Sequence, residues 1–297
     1  MNPDSVKGSF SKHSFFLNLS ILLISTAGIF GRYIALPIPI TIGTRAILAC
    51  LVLYIFCRWK GYDFRIQAKD RSTIIWSGIL FGVHWLTYFY ALRLSNVAVG
   101  MLSLFTFPVL TAILEPLYFK TKILPFHIVL CVLILFGIYL LVPEFSLAND
   151  YFIAVLLGVF SALCYALRNI SMKAKVKKYN GSVLMMYQLL IVSILLIPSF
   201  FIIEDCDILE YWPALLTLAM VTTAIGHTLF LYSFTFFSTT SASIISCLQP
   251  IYGILMGVFF LHEYPRWQTL VGGSVILASV IFESYRVYRN NKLCTDL

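Results

Sequence analysis

Charged side chains are scarce in this chain. Asp, Glu, Lys and Arg make up 11% of its 297 residues, whereas 60% are hydrophobic. A water-soluble globular chain carries about 25% charged residues, so this composition excludes a water-soluble globular protein. The longest polar stretches are residues 1 to 14, 58 to 71 and 172 to 182, and none is long enough for a soluble domain. We therefore expect an all-α membrane protein whose function lies inside the bilayer.

Motifs for catalysis, nucleotide binding and metal binding are absent. The sequence contains no HExxH, no GxSxG and no GxxxxGK[ST]. Its 7 cysteines are scattered without CxxC spacing, which indicates neither a disulfide framework nor a metal site. We expect no cofactor, no metal and no enzymatic activity. An intramembrane enzyme without a recognisable motif is the alternative from a different class.

The hydrophobic residues form ten apolar runs, each long enough to cross a bilayer as a helix. The predicted spans are 15 to 32, 38 to 57, 72 to 92, 97 to 119, 125 to 142, 151 to 172, 182 to 203, 212 to 235, 239 to 261 and 267 to 286. They form two sets of five with the same order of long and short loops. Five is odd, so the second set enters the membrane from the opposite face. We predict two inverted five-helix repeats, residues 1–146 and 147–297.

The net charge of +8 does not indicate a nucleic-acid partner, because the basic residues are not gathered on one face. They lie at the ends of alternate apolar runs. Sixteen lysines and arginines fall on one side of the membrane, whereas only Arg93 and Arg266 fall in the loops of the other side. The positive-inside rule then places both termini in the cytoplasm.

Shifting the first half along the chain by 142 residues tests the repeat. Pro108 then meets Pro250, and the short linker at Asn96 meets Ser238. Each proline removes one backbone hydrogen bond in mid-span, so we predict a helix break at both. Inverted repeats are typical of secondary transporters, whose substrate site lies where the halves meet.

Several local motifs also resemble a known family. They are the segment Tyr165-Ala166-Leu167-Arg168-Asn169, the segment Leu261-His262-Glu263, the pair Gly272-Gly273 and the central prolines of the fourth and ninth spans. With the ten-span duplication, the chain resembles the EamA-type family of the drug/metabolite transporter superfamily. The resemblance covers essentially the whole chain and implies transport of small metabolites, in many cases outward.

The resemblance also implies an acidic residue after the proline-bearing helix of each half. Glu263 fits this position in the second half, whereas the corresponding residue in the first half is Thr121. A role that requires a symmetric acidic pair is therefore weakened.

Two histidines are the deepest ionisable residues. Under the shift of 142, His84 falls one position from His227. Ionisable groups inside a bilayer are costly and rare, so both call for an explanation. They are either neutral imidazoles bonded to neighbouring helices or cavity-lining groups that couple transport to protons, since imidazole titrates near neutral pH.

Two further ionisable residues have two interpretations each. Arg45 lies well inside the second span, where it either extends to the outer interface or binds a substrate carboxylate or an acidic partner. Glu115 lies near the inner end of the fourth span. It is either an interfacial carboxylate near Lys120 and Lys122 or a second coupling site for protons or cations.

Other polar residues are expected to have structural roles first. Arg32 and Arg168 lie near the C-terminal ends of their helices, where we predict that they anchor at the membrane interface. Asn169 and Gln188 are predicted to form hydrogen bonds between helices, with a cavity role as the alternative.

Aromatic residues make up 16% of the chain, and four of them lie deep in their spans: Trp85, Tyr88, Tyr90 and Tyr165. Gln249 precedes one of the helix-breaking prolines. With Arg45 and the two histidines, Trp85, Tyr88, Tyr165 and Gln249 form the predicted substrate cavity. Such a wall suits an uncharged or amphipathic molecule with an aromatic or aliphatic part.

Together these observations predict a secondary transporter that moves an amino-acid-like or amphipathic solute across the cytoplasmic membrane by alternating access, in the direction of export. An exchanger or importer of sugar-linked or nucleotide-linked solutes is the alternative. The expected partners are a small-molecule substrate and the lipid bilayer, with no nucleic acid; a homodimer is left open.

Overall fold

The computed structural model describes residues 15–119, 126–141, 146–203, 207–236 and 246–295. Within these ranges the chain contains helices and connecting turns but no strand, which confirms the predicted all-α class. Thr121, Ser238, Lys120 and Lys122 lie outside the described residues.

Long apolar runs form the helices, because unpaired backbone groups are too costly in hydrocarbon. Up to residue 141 the helices are α1 Phe15–Tyr33, α2 Ile38–Trp59, α3 Ala68–Leu94, α4 Val97–Leu104, α5 Phe107–Phe119 and α6 Phe126–Leu141. From residue 150 they are α7 Asp150–Lys173, α8 Gly181–Leu196, α9 Ser199–Ile202, α10 Trp212–Thr217, α11 Thr228–Ser233, α12 Leu248–Leu261 and α13 Trp267–Thr295. A π-helix, Leu218–His227, joins α10 to α11.

Seven helical segments of the described chain are long and apolar enough to cross a membrane. They are Phe15–Tyr33, Ile38–Trp59, Ala68–Leu94, Val97–Tyr118, Asp150–Lys173, Gly181–Ile202 and Trp212–Ser233. Two shorter apolar helices, Val132–Leu141 and Leu248–Leu261, accompany them. The count of ten spans, the division after residue 146 and the cytoplasmic position of the termini stay predictions.

Asparagine side chains fix where several helices begin. Asn96 accepts a hydrogen bond from the backbone N–H of Val99 and so caps α4. Asn149 and Asn180 do the same for α7 and α8. A short side-chain acceptor satisfies one of the N–H groups that the first helical turn leaves unpaired. The ends of these helices are therefore set by local sequence.

The helical rods are interrupted just before the two central prolines. Phe105 lies in the turn between α4 and α5, three residues before Pro108. Cys247 lies in a turn before α12, three residues before Pro250. Phe105 and Cys247 are also 142 residues apart, the same shift that superposes the prolines. The interruptions thus occupy equivalent positions in the two parts of the chain.

The early and late parts of the chain pack against each other. The most extensive contact joins α3 to α7, and α2 packs on α8 and on the π-helix. α4 lies against both α7 and α12. Large apolar side chains such as Ile55, Leu135 and Phe259 remain exposed on the outer surface, as expected of a bundle that faces lipid.

Two glycines allow α6 and α13 to approach closely. A Cβ atom at Gly272 would lie 2.6 Å from the carbonyl oxygen of Gly137, and one at Gly137 would lie 2.9 Å from the carbonyl oxygen of Gly272. Small residues at helix crossings let backbones meet in this way in membrane proteins. Neither carbonyl is a flexible side chain, so the crossing has no room for a methyl group.

Gly272→Ala is expected to lower the free energy of unfolding by about 1 to 3 kcal/mol, because α6 and α13 must separate. The measurement is the thermal unfolding of the purified protein in detergent. Gly181→Ala is the matched control, since its nearest neighbour to an added Cβ is 3.7 Å away. Equal melting temperatures for the two variants would contradict a crossing that requires glycine.

A polar cluster joins the start of α3 to the connection between α7 and α8. The carboxylate of Asp70 accepts hydrogen bonds of 2.6 Å from Lys175 Nζ, Lys178 Nζ and Tyr179 OH. Hydrogen bonds to Asp70 and Tyr179 raise the pKa of Lys178. The cluster fixes one end of the α3–α7 pair.

Asp70→Asn is expected to lower the melting temperature by several degrees, because the amide carries no charge to pair with two ammonium groups. Asp63→Asn is the control, since Asp63 is exposed and its carboxylate accepts a local bond from the backbone of Arg65. If both variants melt like the wild type, the cluster does not stabilise the helix pair.

Candidate functional site

The seven residues predicted to form the substrate cavity surround one cavity in the middle of the bundle, which we call the central chamber. They are Arg45 on α2, His84, Trp85 and Tyr88 on α3, Tyr165 on α7, His227 on the π-helix and Gln249 on α12. Both parts of the chain thus contribute. The chamber has a volume of about 20 Å³, room for about one water molecule. In this conformation its walls must move before a metabolite can enter.

Arg45 is the charged residue of the chamber wall. Its side chain is fully buried, and its guanidinium carbon lies 3.9 Å from the centre of the Trp85 ring. Arg45 Nε donates a hydrogen bond of 2.6 Å to Thr223 Oγ1. Arg45 Nη1 and Nη2 have no hydrogen-bond partner among the described residues. The burial rules out the interpretation in which Arg45 extends to the membrane interface.

A π-helix positions the partner of Arg45. The hydroxyl of Thr223 donates a hydrogen bond of 2.9 Å to the carbonyl of Leu218, five residues earlier. Single π-helical turns are rare and often occur at functional sites. Thr223 was not predicted as a site residue. The only sequence signal is the pair Thr222-Thr223 inside an apolar run, which is too common to identify a site.

His84 is held by α7. The Ser161 hydroxyl donates to the carbonyl of His84 at 2.8 Å, and His84 Nδ1 lies 2.7 Å from Ser161 Oγ. A hydroxyl has one hydrogen to donate, so Nδ1 is the donor in the second bond. The imidazole also stacks on Tyr165, with ring centres 4.6 Å apart. His84 is therefore bonded to a neighbouring helix and also lines the chamber, whereas its role in proton coupling stays a prediction.

His227 and Tyr88 present unpaired polar atoms. His227 Nδ1 and the Tyr88 hydroxyl are buried and have no hydrogen-bond partner among the described residues. His227 packs at 5.4 Å from Phe81 and 5.6 Å from Trp85, measured between ring centres. Buried polar groups are normally satisfied, so two such atoms and an unpaired guanidinium around one cavity indicate a site for a polar ligand.

Arg168 does not anchor at the membrane interface, so that prediction is wrong. Its side chain is 1% exposed, and its guanidinium lies over the ring of Phe81 at 4.5 Å. Arg168 Nε and Nη2 donate to Gln188 Oε1, and Nη1 donates to Asn169 Oδ1. The hydrogen bond between helices predicted for Gln188 is confirmed. The sequence misled here because nearness to a helix end does not specify which face a side chain lies on.

One end of the bundle is closed by a network around Glu263. Arg32 Nε donates to Glu263 Oε1 at 2.7 Å, and the backbone N–H of Val97 donates to Glu263 Oε2 at 2.9 Å. Arg32 Nη1 also donates to the carbonyl of Arg93 at 3.0 Å. The network joins α1, the start of α4 and the loop after α12. We call it the Glu263 end.

The opposite end is joined by Glu115 on α5, which forms an ion pair with Lys173 on α7. This Glu115 end also contains Thr111 and Asn169, which line a second small cavity with Glu115. Glu115 thus lies apart from the central chamber. Its predicted lysine neighbours, 120 and 122, fall outside the described residues.

A bundle of apolar helices with a buried polar chamber, joined by ion pairs at both ends, is typical of membrane transporters. This chain belongs to the EamA-like transporter family, whose model matches it twice, over residues 12–142 and 152–285. The double match is an internal repeat, and it confirms the family suggested by the sequence. The protein is thus a multi-pass membrane protein of the transporter class.

Two relatives are named as transporters, and one solved structure shares the fold. An uncharacterized transporter of Archaeoglobus fulgidus is 24% identical over 269 residues, which cover 89% of this chain and 93% of the relative. The pseudopaline exporter CntI of Pseudomonas aeruginosa is 20% identical over 249 residues, which cover 83% of this chain and 86% of the relative. A crystal structure matches with a TM-score of 0.68 at 17% identity, covering 94% of this chain and 98% of that one, and shares the fold.

Proposed function

We propose that the protein is a secondary transporter that exports a small amphipathic or amino-acid-like metabolite across the cytoplasmic membrane, and that the solute binds in the central chamber. The observation that carries the proposal is a set of buried polar atoms of Arg45, Tyr88 and His227 around one cavity, which have no hydrogen-bond partner in the described part of the chain. Both parts of the chain build this cavity, as expected where two repeats meet. The relative that is named an exporter supports the direction.

The two ends of the bundle supply the gates of alternating access. In this conformation both the Glu263 end and the Glu115 end are joined by ion pairs, and the chamber between them is small. Transport requires one end to open while the other stays closed. Each network joins a helix before residue 120 to a helix or loop after residue 150, so breaking either one removes a link between the two parts of the chain at that end.

We propose that His84 and His227 couple transport to protons, and that Glu115, which lies outside the chamber, is the other candidate for this role. The groups that face the two imidazoles are the guanidinium groups of Arg45 and Arg168 and the phenols of Tyr88 and Tyr165. With this coupling, transport depends on pH, and His84→Ala or His227→Ala changes that dependence. A flat pH profile that neither substitution alters would remove this part of the proposal.

Two alternatives predict different outcomes in one flux experiment. Vesicles containing the purified protein are loaded with a small-molecule extract of the expression host, and the contents are followed by mass spectrometry. An exporter releases particular compounds unchanged, and an intramembrane enzyme converts them to products of new mass. An exchanger releases compounds only when a related solute is added outside. No protein-dependent release, compared with empty vesicles, would contradict transport by this protein.

A further inference from the structure

The central chamber contains positive charge with no negative partner among the described residues. The carboxylates that form ion pairs among the described residues are Asp70, Glu115 and Glu263, and all three lie at the ends of the bundle. Among the described residues, no Asp or Glu lines the chamber. Arg45 and Arg168, by contrast, are buried in the middle of the bundle, and in the described chain neither forms an ion pair. A buried charge is costly unless a counter-ion or a full set of hydrogen bonds offsets it.

The two arginines differ in how well their donors are satisfied. Each nitrogen of the Arg168 guanidinium has a hydrogen bond to an amide oxygen of Gln188 or Asn169. Arg45 has a bond only at Nε, so the four N–H groups of Nη1 and Nη2 are free in the part of the chain that the structure describes. A guanidinium presents these N–H groups as a fork that matches the two oxygens of a carboxylate.

We infer that the substrates of this transporter carry a carboxylate, which binds to Arg45 Nη1 and Nη2. The inference rests on the proposed function and names the substrate class of the same site. The Tyr88 hydroxyl donates a further bond to the carboxylate, and His227 Nδ1 bonds a second polar group of the solute. Arg168 acts as a positioning residue, since its charge favours an anion in the chamber without touching it.

The aromatic residues of the chamber wall indicate the chemistry of the rest of the solute. Trp85 and Tyr165 line the chamber together with Phe105 and Phe107. These rings suit an aliphatic or aromatic body attached to the carboxylate. A phosphorylated solute carries up to two negative charges on a larger head group, and Arg45 is the only chamber-lining cation in the described chain. The geometry therefore favours small monocarboxylates over phosphate esters.

The first test measures binding without transport. The purified protein in detergent is melted with carboxylates and with their neutral amides: acetate and acetamide, 3-phenylpropionate and its amide, and indole-3-acetate and its amide. We expect at least one carboxylate to raise the melting temperature by about 2 °C or more above its amide, because a ligand that binds the folded state stabilises it. Arg45→Gln should remove this difference.

Arg58→Gln is the matched control, because Arg58 lies on the same helix but is exposed. It should keep the wild-type preference for carboxylates. If the members of every pair shift the melting temperature equally, or if Arg45→Gln keeps the preference, the inference is overturned.

The second test uses the flux experiment to separate this inference from the proposed function. Release of compounds that carry a carboxyl group, lost in Arg45→Gln vesicles, supports both. Release of compounds that lack a carboxyl group leaves transport intact and overturns the substrate class. Carboxylate binding in the melting experiment without any flux supports the substrate class and contradicts the transporter.

Discussion

Arg45→Gln is expected to reduce transport at least about 100-fold and to leave the protein as stable as the wild type or more stable. The loss follows from two charge-assisted hydrogen bonds to the solute, together worth about 3 kcal/mol or more, or about two factors of ten. Stability should not fall, because Arg45 is buried with no counter-ion among the residues that the structure describes, and glutamine removes that charge. Flux in vesicles and thermal unfolding of the same preparation measure the two effects.

Arg45→Lys separates charge from geometry. Lysine keeps the positive charge but lacks the fork, so transport should fall between the wild type and Arg45→Gln. If Arg45 were a structural residue, Arg45→Gln would unfold the protein and transport would fall only in proportion to the folded fraction. A destabilised Arg45→Gln variant with normal transport per folded molecule would contradict a role in binding.

Glu263→Gln is expected to open the chamber at the Glu263 end. The amide loses the ion pair with Arg32 and keeps only a neutral hydrogen bond to the N–H of Val97. Both side chains of the pair are partly exposed, 30% for Arg32 and 20% for Glu263, so we expect an effect of only about 1 to 2 kcal/mol. That is enough to shift a two-state equilibrium about 5-fold to 30-fold toward the open conformation.

The shift can be measured at Ala27, a buried residue that lines the chamber. In a background without the native cysteines, Ala27→Cys should react about 5 times faster or more with a water-soluble thiol reagent when Glu263→Gln is present. Glu210→Gln is the control, because Glu210 is exposed and is not part of the Arg32 network. Equal labelling rates with and without Glu263→Gln would show that this network is not a gate.

The positions of the helices and of the chamber residues could be predicted from the sequence for one physical reason. Apolar runs must be helical in a bilayer, and ionisable residues inside them are too costly to face lipid. This reasoning located Arg45, His84 and His227. It did not locate Arg168 in the interior, because a cation near a helix end can either reach the interface or turn inward, and only the packing of α7 decides.

Faces of helices were harder to predict than depth. The sequence predicts that Tyr88 and Tyr90 both lie deep in the bundle, but Tyr88 is 3% exposed and Tyr90 is 42% exposed. Residues that are two positions apart on an α-helix, such as Tyr88 and Tyr90, are separated by about 200° around its axis, so they cannot both face the chamber. The π-helix Leu218–His227 could not be predicted either, since its extra residue per turn has no distinct pattern of apolar side chains.

Trp85 makes the chamber optically distinct from the rest of the molecule. The other four tryptophans, Trp59, Trp76, Trp212 and Trp267, are between 42% and 75% exposed, whereas Trp85 is 2% exposed. Its indole lies directly beneath the Arg45 guanidinium. A solute that pairs with Arg45 changes the electric field at this ring, so the wild-type protein carries an intrinsic fluorescent reporter of occupancy. Replacing the four exposed tryptophans with phenylalanine would isolate that signal.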